Sequence, residues 1–109
     1  MELIQSEAVR HIVIFKYKKE ATEEKITQVT KAFRELKDKI PGILSFETGV
    51  NNSTEGLNLG FTHVYLLTFE NIKARNDYLP HQEHKKFQQL LESLDIHEDS
   101  FVVDYILEN

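Results

Sequence analysis

Two stretches of this chain, Val9–Tyr17 and Phe61–Phe69, are apolar on both of their alternating faces. Both are rich in β-branched and aromatic residues, which favour extended backbone. Successive side chains of a strand point to opposite sides. His11, Val13, Phe15 and Tyr17 therefore share one face of the first stretch, and Arg10, Ile12, Ile14 and Lys16 the other. In the second, His63, Tyr65, Leu67 and Phe69 oppose Thr62, Val64, Leu66 and Thr68. A strand with one wet face alternates apolar and polar, so these two are expected at the centre of a sheet.

The segments around them complete the order. Thr22 reads as a helix N-cap, with Glu23 and Glu24 in the turn where the helix dipole favours acids. Ile26, Val29, Phe33, Leu36 and Ile40 then recur every three or four residues, one amphipathic stripe that Pro41-Gly42 stops. Ile43–Val50 reads as a weaker strand and Asn51–Gly56 as a polar loop. Asn71 caps a short helix through Leu79, broken at Pro80. A further helix follows from His81 to Leu94, with His84, Phe87, Leu91 and Leu94 on one stripe, and Ser100–Ile106 is the last strand. The order βαββαβ predicts an α+β, ferredoxin-like fold. Its antiparallel sheet has strand order 4-1-3-2, with strands one and three expected to be central and parallel to each other. A chain of 109 residues holds one domain, here residues 8–107 behind a flexible N-terminal segment, 1–7.

Helices in that fold cover one sheet face. The other carries Ile12, Ile14, Val64, Leu66, Phe101, Val103 and Tyr105. An apolar face of that size needs a cover. Two such sheets packed together make a dimeric α+β barrel, so the expected partner is a second copy of the chain.

Composition removes several function classes. The chain has no cysteine, which excludes a disulfide scaffold, a cysteine-based zinc site and a thiol nucleophile. It suits a reducing compartment, and a cytoplasmic location is expected. The net charge of −5 opposes general nucleic-acid binding. No apolar run reaches the ~20 residues of a membrane span. Met1–Glu7 carries two acids and no apolar core, so no signal peptide is expected.

The polar residues that remain converge. His11 and His63 each begin a central strand, which is expected to place them at one end of the sheet. Asp104 lies near the end of the last strand and returns to the same end. The second helical region brings Tyr78, His81 and His84 toward it. A pocket is expected at that mouth, with His84, Tyr78, His11, His63 and Asp104 as candidate catalytic groups. Val13, Phe15, Phe33, Tyr65, His81 and Phe87 are the candidate ligand contacts, although Phe15, Phe33, Phe69 and Phe87 read first as core. His84 is either a general base, since an imidazole is often neutral near pH 7, or a buried core histidine. The His11–Asp104 pair either orients a catalytic ring or ties two strands together. His81-x-x-His84 alone falls short of a transition-metal site, which needs three or more ligands, so neither metal nor cofactor is expected. His97 reads as solvated in an acidic loop, and Lys16, Lys18 and Lys19 as a solvated strand end.

The chain resembles the stress-responsive A/B barrel family. The resemblance rests on Val9-Arg10-His11-Ile12-Val13, Ile40-Pro41-Gly42, Gly49–Ser53, Gly60-Phe61-Thr62-His63-Val64, Thr68-Phe69-Glu70, Asp77–His84 and Val103-Asp104-Tyr105, in that order from Ala8 to Ile106. It implies a homodimeric α+β barrel. One plant member is a polyketide cyclase that closes a ring by intramolecular aldol condensation. Its catalytic tyrosine and histidine correspond to Tyr78 and His84, and its strand histidines to His11 and His63. Gln82 replaces the proline usual in that segment. Val29, Thr30 and Phe33 stand where the cyclase has three aromatics lining its tail pocket. Three functions fit: small-molecule binding with cofactor-free proton transfer of a cyclase or isomerase kind, a non-catalytic stress-response homodimer, or a cofactor-free monooxygenase.

Overall fold

The structure, a computed structural model, describes residues 7–108. All but the last residue of the expected N-terminal segment 1–7 lies outside the described residues. Strand β1 spans Val9–Tyr17, and its alternating burial leaves Val9, His11, Val13 and Phe15 buried. Helix α1 spans Glu23–Lys39 and starts at Thr22, whose side chain accepts the Lys25 backbone N–H at 3.2 Å. Its stripe of Ile26, Val29, Phe33 and Leu36 is buried against the sheet. Strands β2 (Ile43–Val50) and β3 (His63–Phe69) pair antiparallel. Helix α2 (Ile72–Tyr78) is capped by Asn71, helix α3 (Gln82–Leu94) by His81, and strand β4 spans His97–Ile106.

The turn between α1 and β2 depends on Gly42. Its φ of +93° is a left-handed conformation open to glycine. A Cβ there would lie 2.6 Å from the Ala74 Cβ. The missing side chain is what lets α2 sit against the turn.

The sheet order is β2-β3-β1-β4, as the sequence predicts, and every neighbouring pair is antiparallel. One expectation is corrected: β1 and β3 are antiparallel, not parallel. The β1-α1-β2 crossover returns β2 in the direction of β1, and the β2–β3 connection then reverses the chain. Hence Phe15 faces His63 across the ladder and His11 faces Leu67. His63 sits at the opposite end from His11. The same reversal ends β3 beside Val9, so α2 starts at the His11 end and carries Tyr78 there.

Strand β4 begins three residues earlier than the sequence suggests. Lys16 Nζ lies 3.3 Å from Glu98 and Lys18 Nζ 2.6 Å from Asp95. These lysines pair with the acids that make the segment read as a loop. The sheet face away from the helices leaves Phe101, Val103 and Tyr105 exposed beside half-buried Ile12, Ile14, Val64 and Leu66. Among the described residues no helix is long and apolar enough to cross a membrane.

Candidate functional site

A cleft of about 750 Å³ opens between the β1–β4 edge of the sheet and helices α2 and α3. Strand alternation supplies one wall: His11, Val13 and Phe15 from β1, with Ser100, Val102 and Asp104 from β4. The stripe of α3 supplies another, His84, Phe87 and Leu91. Phe33 of α1 closes the floor, and Arg75 and Tyr78 of α2 stand at the polar end.

That end is organised by Asp104. One carboxylate oxygen accepts from His11 Nδ1 at 2.8 Å and the other from Arg75 Nη1 at 2.6 Å. His11 is therefore held with Nδ1–H on the carboxylate, which leaves Nε2 the acceptor of the neutral ring. The His84 Nδ1–H donates to the Leu79 carbonyl at 3.0 Å, with the same result for its Nε2. Burial pulls the His84 pKa below the ordinary histidine value. The Leu79 carbonyl works the other way, and the nearby His11 and His81 rings add to the lowering. Tyr78 is wholly buried, its ring stacked on His84 at 4.2 Å and edge-on to His11 at 5.7 Å. Its hydroxyl has no hydrogen-bond partner among the described residues. Burial pushes its pKa up, so it keeps its proton. A carbonyl compound bound here meets the unprotonated Nε2 of His84 and the neutral Tyr78 hydroxyl, a set suited to moving a proton.

Of the candidate residues, His84, Tyr78, His11, Asp104, Val13, Phe15, Phe33 and Phe87 line this cleft. Three do not. His63 belongs to the other end of the sheet, where its Nδ1 meets Thr62 Oγ1 at 2.7 Å and burial lowers its pKa. Tyr65 is fully buried beneath α1, its hydroxyl bonded to Tyr17 at 2.8 Å and Thr30 at 3.0 Å. His81 caps α3, its Nδ1 accepting the Glu83 backbone N–H at 3.0 Å. Sequence reasoning missed Arg75 and His97. Arg75 sits three residues before Tyr78, the helical spacing that puts both on one face. His97 is not solvated: it lies in β4, edge-on to Phe15 at 4.9 Å, with Nε2 buried and unpartnered among the described residues. Burial lowers its pKa, partly offset by Asp99.

Residues 9–107 match the Stress responsive A/B Barrel Domain family. The chain belongs to that family. Among A/B barrel relatives, it is 33% identical over 98 residues to the stress-response A/B barrel domain-containing protein HS1 of Arabidopsis thaliana, covering 89% of this chain and 87% of that protein. It is 29% identical over 86 residues to olivetolic acid cyclase of Cannabis sativa, covering 79% and 85%. The A/B barrel fold recurs in the solved hydroxynitrile lyase of Passiflora edulis, with a TM-score of 0.83, 26% identity and 94% and 95% coverage. A dimeric ferredoxin-like protein of unknown function from Bacteroides fragilis superposes with a TM-score of 0.68, 27% identity and 92% and 96% coverage.

Proposed function

We propose that this A/B barrel protein binds a small organic carbonyl compound in the cleft and catalyses proton transfer with its own side chains. His84 is the general base and Tyr78 the hydrogen-bond donor. The observation that carries the reading is the state of His84. Its Nδ1–H is spent on the Leu79 carbonyl, and burial favours the neutral ring. The Nε2 lone pair is then free to take a proton from the carbon next to a carbonyl. The electron pair of that C–H bond moves onto the carbonyl oxygen, which accepts from the Tyr78 hydroxyl. His11, fixed by Asp104, orients the substrate through Nε2. The cleft lies within the ~300–1,000 Å³ range of small-molecule sites, which favours a ligand-binding over a purely structural role. Relatives named as a cyclase and a lyase support catalysis.

The test is deuterium exchange at the α-carbon of aryl- and alkyl-tailed methyl ketones in D₂O, followed by proton NMR. The native protein is expected to accelerate exchange, and His84→Ala to lose ~10²–10⁴-fold of that rate while keeping its circular dichroism. Equal rates for the two proteins would leave the non-catalytic homodimer as the better reading.

The working unit in this proposal is a homodimer joined through the sheet face of Ile12, Ile14, Val64 and Leu66. Exposed Phe101, Val103 and Tyr105 on that face and the dimeric relative support it. An interface of this kind buries on the order of 2,000 Å² or more. Val64→Asp is expected to dissociate it, at several kcal/mol for an unpaired buried charge. Sedimentation of the native protein as a single monomeric species would defeat it.

A further inference from the structure

We infer that Arg75 is a recognition residue for an anionic group, so that the cleft selects amphipathic carboxylates; this rests on the cleft being a ligand site. Two of the three guanidinium nitrogens are already anchored. Nη1 donates to Asp104 at 2.6 Å and Nε to the Asn76 side-chain oxygen at 2.8 Å. Those contacts use two of five N–H donors. They hold the planar group in one orientation, with the side chain only 23% exposed. Nη2 has no hydrogen bond among the described residues, and Arg75 lines the cleft. A flat, pre-oriented guanidinium with free donors matches the two oxygens of a carboxylate, and an arginine that joins two carboxylates is satisfied on two sides.

The rest of the lining defines the remainder of the ligand. Among the described residues Arg75 is its only cation of fixed charge, and Asp104, its only acid, is spent on Arg75 and His11. Beyond them the wall is mostly apolar, with Val13, Phe15, Phe33, Phe87, Leu91 and Val102 interrupted by Asn76, Gln88, His97 and Ser100. Such a surface fits an alkyl or aryl body, with the anion at the Arg75 end beside Tyr78 and His84.

Octanoate and 1-octanol, equal in chain length and different in charge, separate the possibilities in a titration of the full chain followed by amide chemical shifts. The native protein is expected to bind octanoate at least ~10-fold more tightly, with shifts clustered on β1, α2, α3 and β4. Arg75→Gln is expected to bring the two affinities within about twofold by weakening octanoate alone, and Arg75→Lys to restore part of the difference. Equal affinities in the native protein, or an Arg75→Gln change that weakens both probes equally, would overturn the carboxylate assignment and leave the cleft as a neutral-ligand site. Binding of neither probe would overturn both readings. The amide spectrum of each variant checks that the fold is kept.

Discussion

The helix-covered face of the sheet has two polar ends, built from the same residue types and finished differently. Under α1, Tyr17, Tyr65 and Thr30 form a closed chain of hydroxyls, with His63 bonded to Thr62 beside them. Under α2 and α3, among the described residues, Tyr78 has no partner for its hydroxyl and His84 has spent only Nδ1. A buried polar group without a partner costs stability. One end has been closed for stability, while the other keeps its capacity for hydrogen bonding open beside a cavity.

The two histidines test this contrast most sharply. His84→Ala is expected to reduce ketone exchange by ~10²–10⁴-fold, and His63→Ala to leave it within about twofold. A loss of similar size from both would show that the ends act together. The tyrosines give the next contrast, in stability. Tyr65→Phe strands the Tyr17 and Thr30 hydroxyls and is expected to cost about 1–3 kcal/mol, read from urea unfolding. Tyr78→Phe removes a hydroxyl that has no partner, and is expected to leave stability unchanged or raise it by about 1 kcal/mol or less. Equal losses would mean that Tyr78 has a partner in solution.

The smallest effect is in pH. Burial lowers the pKa of His84, His63 and His97. The unfolded chain, with histidines near pKa ~6.5, then binds more protons than the folded one as acid is added. Stability is unaffected by these groups above that value and falls as pH drops below it. Melting temperature is expected to decline between about pH 6.5 and 5, and less steeply in His63→Gln and His84→Gln. The pH profile of exchange should have its rising limb below 6.5, because His84 is deprotonated earlier than a free imidazole.

Much of this arrangement is legible in the sequence, and the failures have definite causes. Periodicity reveals the faces of β1 and β3 and the stripe of α1, because burial acts on every second or every third to fourth residue. Thr22 and Asn71 mark helix starts through the backbone N–H groups they satisfy. Alternation reports which face a side chain takes and says nothing of which end of the sheet it reaches. That is why His63 and Tyr65 read as neighbours of His11 until the direction of β3 is known. His97 was hidden because the acids around it are neutralised by Lys16 and Lys18, which are distant in sequence. Arg75 lies in a helix of seven residues, too short to show an apolar stripe, and only its three-residue spacing from Tyr78 ties it to the cleft face.

The close approach at Gly42 bears on inheritance as well as on folding. Ala74 is the residue immediately before Arg75 and one helical turn before Tyr78, so whatever moves Ala74 moves both groups at the cleft's polar end. A side chain at position 42 would press on the Ala74 Cβ from 2.6 Å and shift α2 as a block. Position 42 carries no chemistry, yet a single methyl group there would be read as a lost ligand. The turn works as a mechanical stop that sets how closely α2, and with it the polar end of the cleft, sits against the chain before β2.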